Sequence, residues 1–381
     1  MWWVSLLGAA LAVLSGALEW SVAGGVLERI APVLVFLIGI TVIAALTDAA
    51  GVFDVAARGA AHLGRGRTWR LWLMVVALAS ASTIVLSLDT TAVLLTPVAL
   101  SMARQLAIPP RLFAMTTVWL AGTASLLLPV SNLTNLLATH RLDALGIGLG
   151  GYLALSWRPA LAAISGTVLV IAVLFRRDLR GRYVVPAAPG VEDKPLFWSS
   201  VVVCALLGSA FLSGVNVAWP ASAGALLLTA LFAARRRKLL RWSLLPWRLA
   251  CTVTGLFLVV ATLTANGLDG ALSSVAGAAS DGLLGDLRLT ATAAASANLV
   301  DNLPAYLAME PVADNTGHRL MLLLIGVNCG CLLTLWGSLA TLLWRERCRA
   351  AGLTVPWHTF LLPGLLLTSV ALAASVLAVR A

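Results

Sequence analysis

The sequence predicts an all-α polytopic membrane protein, and three observations carry that prediction. Of its 381 residues, 60% are hydrophobic and 11% charged, under half of the roughly 25% with which a soluble domain covers itself. Apolar runs long enough to cross about 30 Å of hydrocarbon recur along the whole chain. The basic residues gather in alternate loops, as the positive-inside bias requires. The same composition excludes disorder, and five cysteines, an odd number in a long chain, exclude a disulfide scaffold.

Taken in order, spans are expected at 2–18, 30–47, 112–139, 152–175, 197–213, 217–234, 249–266, 320–344 and 358–379. The first has no basic residue before it and is read as a retained span rather than a cleaved signal. Two further apolar stretches, 71–103 and 287–312, carry polar breaks at Ser87-Leu88-Asp89-Thr90-Thr91 and Asp301-Asn302-Leu303-Pro304. Such breaks suit re-entrant hairpins, because irregular backbone is tolerated at that depth only inside protein or along a wet cavity. With the N-terminus in the cytoplasm, the inner loops 48–70, 104–111, 176–195, 235–248 and 345–357 hold 20 of the 26 Lys and Arg. The C-terminus then falls outside, and the expected location is the inner (plasma) membrane.

The order span, span, hairpin, interrupted span, span occupies 1–175 and recurs in 217–381. A basic cytoplasmic linker and one joining span, 176–216, lie between. An odd joining span inverts the second half, so the fold class is refined to an inverted repeat with two re-entrant hairpins and two interrupted helices. The breaks correspond in place: Asp89 lies 42 residues before Ser131, and Asp301 lies 37 before Ser338.

The interrupted spans carry the chemistry. The first reads Leu128-Pro129-Val130-Ser131-Asn132-Leu133-Thr134-Asn135, the second Trp336-Gly337-Ser338-Leu339-Ala340-Thr341. Pro removes a helical hydrogen bond and Gly lowers the cost of unwinding. The helix that restarts aims free N–H groups at the bilayer centre, where they can hold an anion, a polyhydroxylated solute or a partly dehydrated ion. Ser131, Asn132, Thr134, Asn135, Asn302, Gly337, Ser338 and Thr341 are therefore the candidate substrate-binding residues. Asp89 and Asp301 are the deepest acids, and an ionisable group inside a span is a functional candidate by default. They and Thr90 are the candidates for a coupling ion or proton, against the plainer role of capping a short helix.

Ala121-Gly122-Thr123-Ala124-Ser125-Leu126 through Asn135 resembles the first discontinuous helix of the bacterial arsenite/antimonite permease family. Gly337-Ser338-Leu339-Ala340-Thr341-Leu342-Leu343-Trp344 resembles its counterpart. Leu88-Asp89-Thr90-Thr91 through Pro97 is similar to the first hairpin of the wider ion-transporter superfamily, which includes citrate and dicarboxylate carriers and sodium/proton antiporters. The resemblance spans nearly the whole chain. It implies alternating access with the hairpins and broken helices in one moving domain, and exchange of a neutral As(III) or Sb(III) hydroxide for protons. It further implies a homodimer and, as in some members, an ATPase subunit on another chain. The chain departs from the family at Gly122, where an acid is common, and at Asn328-Cys329-Gly330-Cys331, where an acid and a base are usual.

Other chemistry finds no support in the sequence. No P-loop, nucleophile elbow or Rossmann glycine pattern is present, so no cofactor or catalytic group is expected. His62, His140, His318 and His358 fall at loops or span ends, none at metal-ligand spacing. Cys329 and Cys331 flank Gly330 and are read as packing residues with a lesser claim on substrate. The net charge of +10 belongs to the loop bias and not to nucleic acid. Arg235-Arg236-Arg237-Lys238 follows an apolar run and suits lipid headgroups. The expected partners are the bilayer and a small inorganic or organic solute. The leading expectation is an arsenite/antimonite efflux permease coupled to protons. The alternatives are a carboxylate or sodium/proton carrier on the same fold, a channel, and a lipid-acting enzyme for which no nucleophile–base set can be assembled.

Overall fold

A computed structural model of the chain describes residues 2–184, 191–212, 218–267, 282–313 and 316–380, with 270–271 and 274–275. Pro186 and Pro189 of the linker, and the inner bounds of the spans at 213 and 217, lie outside the described residues. The protein is all-α: the described residues contain no strand. Among the described residues, six helices are long and apolar enough to cross a membrane: Ile30–Ala49, Thr68–Val85, Gly148–Leu174, Ala218–Arg235, Trp247–Ala265 and Trp357–Arg380. Their outer faces leave leucines bare, such as Leu169, Leu226 and Leu362, as lipid-facing helices do.

The chain forms two compact units. The first comprises Met1–Gly66, Pro97–Ile108 and Arg182–Thr262. It holds α1 (Trp2–Leu14), α2 (Trp20–Ala49), α3 (Val52–Leu63), α11 (Lys194–Leu212), α12 (Ala218–Arg235) and α13 (Trp247–Ala265). Close helix approach here depends on glycine. A Cβ on Gly39 would stand 2.9 Å from the Ala221 backbone, and one on Gly255 would stand 2.5 Å from that of Ser5. Thus α2 meets α12, and α1 meets α13, backbone to backbone.

Two expectations are corrected in this unit and one is extended. The span at 2–18 is a helix of 13 residues, about 20 Å long at 1.5 Å per residue, and it stops before Gly16, whose φ is +76°. The span at 30–47 falls within Ile30–Ala49, and the helix that carries it begins ten residues earlier, with Pro32 absorbed inside α2. The expected loop 48–70 contains α3, which buries Phe53, Ala57 and Ala61 on one face. Asp54 of α3 accepts from Ser101 Oγ and from Gln105 Nε2 (2.8 Å). Sequence hydropathy missed this helix because its other face is polar.

The second unit comprises Arg67–Thr96, Pro109–Gly181 and Leu263–Ala381. It holds α4 (Thr68–Val85), α5 (Leu88–Thr90), a π-turn at Thr91–Leu95 and the first residue of α6 (Thr96–Gln105). It also holds α7 (Pro110–Thr123), α8 (Leu133–Ala144), α9 (Gly148–Leu174) and α10 (Arg176–Leu179). The later helices are α14 (Leu283–Val300), α15 (Asn302–Ala313), α16 (Gly317–Cys329), α17 (Leu339–Ala350) and α18 (Trp357–Arg380). α9 packs along α18, where Ser375 Oγ donates to the Pro159 carbonyl (3.0 Å). α14 and α15 both pack on α16, α4 packs on α7, and the π-turn packs on α17. Both interrupted helices and both hairpin tips thus belong to one unit. These units divide the chain along other lines than the sequence halves 1–175 and 217–381.

Candidate functional site

Four helices of the second unit restart in the interior, and each restart is capped by a short polar side chain. Ser87 accepts from Thr90 N, Asn132 from Thr134 N, Asp301 from Leu303 N and Ser338 from Thr341 N, at 3.1–3.3 Å. Each cap satisfies one of the N–H groups that a helix start leaves orphaned. The hairpin breaks are narrower than the sequence suggests. The first is Leu86-Ser87, with Asp89 and Thr90 already helical, and the second is Asp301 alone, with Asn302 helical. The structural counterpart of Asp301 is therefore Ser87 rather than Asp89.

Asp301 is 2% exposed and has φ +83°, ψ 152°. That region is close to glycine-only and costs about 1–3 kcal/mol for a residue with a Cβ. Such strain is kept where the surroundings over-determine it, and it singles out Asp301 among the described acids. The Asp89 and Asp301 carboxyls are near enough to interact through charge. Asp89 Oδ1 is buried and has no hydrogen-bond partner among the described residues. Thr90, by contrast, is engaged: its hydroxyl meets Ser87 Oγ at 2.8 Å.

The first broken helix, α7 to α8, unwinds over 124–132. Its carbonyls are satisfied by side chains. Asn135 Nδ2 donates to Ser125 O (2.6 Å) and Leu128 O (3.0 Å). From α9, Tyr152 donates to Leu126 O (2.8 Å) and Ser156 to Leu127 O (2.9 Å). Ser131 Oγ donates to Ile84 O (2.7 Å), which ties the break to the end of α4.

The second broken helix, α16 to α17, unwinds over 330–338 and is held by Asn298 of α14. Asn298 Nδ2 donates to Gly330 O (2.7 Å), and its Oδ1 accepts from Leu333 N (3.1 Å) and Thr334 N (3.0 Å). Gly337 leaves room for this: a Cβ there would stand 2.3 Å from Cys331 O and 2.9 Å from Asn298 Oδ1. Ser338 and Thr341 share a hydroxyl bond of 2.9 Å.

Asn328 joins the two breaks. Its Oδ1 accepts from Asn132 Nδ2 (2.9 Å) and Thr134 Oγ1 (2.8 Å), and its Nδ2 donates to Asn135 Oδ1 (2.7 Å). Its carbonyl accepts from Cys331 Sγ (3.2 Å). Cys331 also meets the Ser338 hydroxyl and feels the Asp301 charge. The structure therefore brings Asn132, Thr134 and Asn135 together through Asn328, and Ser338 and Thr341 together with Cys331, within charge-interaction range of Asp301. Asn302 is buried next to Asp301. At Gly122 a Cβ would stand 2.9 Å from a Leu332 methyl, so Leu332 fills the space that an acid would need.

Asn298 and Asn328 escaped the sequence reading, as did Tyr152 and Ser156. One signal was present: a lone amide within an apolar helix must find a partner. No group of three or more His, Cys, Asp or Glu able to hold a metal exists among the described residues.

A membrane-spanning helical protein whose two broken helices and two hairpin tips converge on a buried polar centre is a secondary membrane transporter, not an enzyme. The chain matches the family described as Citrate transporter over residues 1–321 and belongs to that family. It is also similar over 96% of its length, and 90% of theirs, to two proteins called Arsenical pump membrane protein. One is from Escherichia coli and one from Yersinia enterocolitica, each 29% identical. An uncharacterised transporter of Mycobacterium tuberculosis is 24% identical over 90% of this chain. The resemblance to arsenite permeases, expected over nearly the whole chain, is thus found over 96% of it.

Proposed function

We propose that this transporter exports arsenite or antimonite across the inner membrane in exchange for protons, by alternating access. The observation that carries the reading is Asp301, strained and buried at a helix restart, within charge-interaction range of Cys331 and Asp89. In this reading Ser338, Thr341 and Asn302 hold the hydroxyls of a neutral trihydroxide, since hydroxyl and amide groups both donate and accept. Asp89 and Asp301 hold the coupling proton. Asn132, Thr134, Asn135 and Asn328 form the opposite wall and keep the two breaks in register. The second unit, which owns both breaks, is the body that carries the solute. The names of the E. coli and Yersinia relatives support the substrate.

The test is arsenite-dependent proton flux in everted vesicles. Wild-type protein gives flux, and Asp301→Asn loses it while keeping its folded yield. Folded Asp301→Asn with unchanged, pH-dependent transport would sink the proton assignment.

Membership of the citrate transporter family favours a second reading, a carboxylate substrate. Against it, the side chains that bond the two breaks are amides, hydroxyls and a phenol, and two acids lie within charge-interaction range of each other there. A trianion would need the opposite charge. Citrate-driven flux with no response to arsenite would decide for the second reading.

A further inference from the structure

α17 ends in Arg345, Arg347 and Arg349, and the chain leaves it through Leu353-Thr354-Val355-Pro356. Between the helix end and this loop lies a cavity of about 130 Å³, lined by Arg345, Cys348, Arg349, Thr354 and Pro356 among others. That is far more than the roughly 10–15 Å³ that admits one water. No acidic residue lines it.

Arg345 and Arg349 are one helical turn apart and so share a face. Neither lies within ion-pair distance of a carboxylate among the described residues. Burial and the repulsion of Arg349 hold the Arg345 guanidinium below its ordinary range, with Glu346 offsetting part of this. Two like charges facing one cavity without a bonded counterion leave an anion-shaped demand. Guanidinium forks meet phosphate oxygens in pairs, and the Thr354 hydroxyl adds a donor.

The depth of the cavity argues for the source of the anion. Trp357, which follows Pro356 and opens α18, is 65% exposed, and an exposed Trp at the start of a spanning helix sits at headgroup level. The distribution of Lys and Arg predicts that this end faces the cytoplasm, the leaflet rich in anionic lipid. We propose that the cavity between the end of α17 and residues 353–356 binds the phosphate of an anionic phospholipid. The site is separate from the polar centre of the breaks and does not depend on what the transporter carries.

Native mass spectrometry of the full-length protein, with phosphatidylglycerol and phosphatidylcholine supplied in equal amounts, tests this. Wild-type protein retains phosphatidylglycerol in preference. The double variant Arg345→Gln/Arg349→Gln loses about 30-fold in apparent affinity, and Arg349→Gln alone about fivefold, the scale of one or two cations at a headgroup. Arg349 is exposed, so the single variant keeps the test open should the double variant not fold. A second arm adds inorganic phosphate in place of lipid. Equal retention of phosphatidylglycerol by wild type and the single variant overturns the site. Thermal stabilisation by inorganic phosphate as large as that by phosphatidylglycerol overturns the lipid assignment and leaves a free-anion site.

Discussion

In the first break, 124–132, four carbonyls are bonded by Asn135, Tyr152 and Ser156, and Ser131 ties the break to the Ile84 carbonyl of α4. In the second, 330–338, the amide of Asn298 alone holds one carbonyl and two N–H groups. Glycine replaces side-chain donors at the second break. Gly330 would place a Cβ 2.3 Å from that of Ala294, and Gly364 of α18 would place one 2.4 Å from Leu332 O. Both breaks answer the same demand, since unbonded backbone in the interior of a membrane protein is expensive. The first spreads the demand over several groups, so each matters moderately. The second concentrates it on one residue and on close packing.

The contrast can be broken by substitution. Asn298→Ala has the largest expected effect. It orphans three backbone groups at about 1–3 kcal/mol each, so about 4 kcal/mol or loss of the folded form is expected. Folded yield and thermal unfolding in detergent measure it. Asn298→Asp, which keeps the acceptor but loses the donor to Gly330, should fall between this and wild type.

Gly337→Ala comes next, at about 2–3 kcal/mol, because its Cβ meets a carbonyl that cannot swing away. Asn135→Leu should cost about 2 kcal/mol, as two carbonyls and the Asn328 amide each lose one bond but Ser131 N still reaches Leu128 O. Tyr152→Phe removes one donor from one carbonyl and should cost about 1 kcal/mol. Should Tyr152→Phe prove as damaging as Asn298→Ala, the distinction between a distributed and a concentrated break is wrong.

Both breaks were legible to within a few residues, because Pro129 and Gly337 with their polar neighbours interrupt otherwise apolar helices. What holds the breaks was not legible. Asn298 and Asn328 sit in the last turns of apolar helices, 32 and 193 residues in sequence from groups they bond, and no local pattern names such partners. The pairing of Asp89 with Asp301 came from counting along the chain. The structure pairs Asp301 with Ser87 as caps and sets Asp89 two residues beyond the cap, because the helix restarts at Leu88. Hydropathy sums both faces of the amphipathic α3, so 52–63 reads as loop in the sequence.

The sequence by itself determined that this chain is helical and membrane-embedded, that two of its helices are broken, and where the acids and hydroxyls of those breaks fall. These follow from composition and local chemistry, which each segment carries with it. That both breaks and both hairpin tips share one compact unit is already an expectation from the resemblance; only the tertiary structure decided that Asn328 ties one break to the other and that Asp301 is held in a strained conformation. A buried hydrogen bond is satisfied by whichever donor packing brings within reach, and packing is a property of the whole chain.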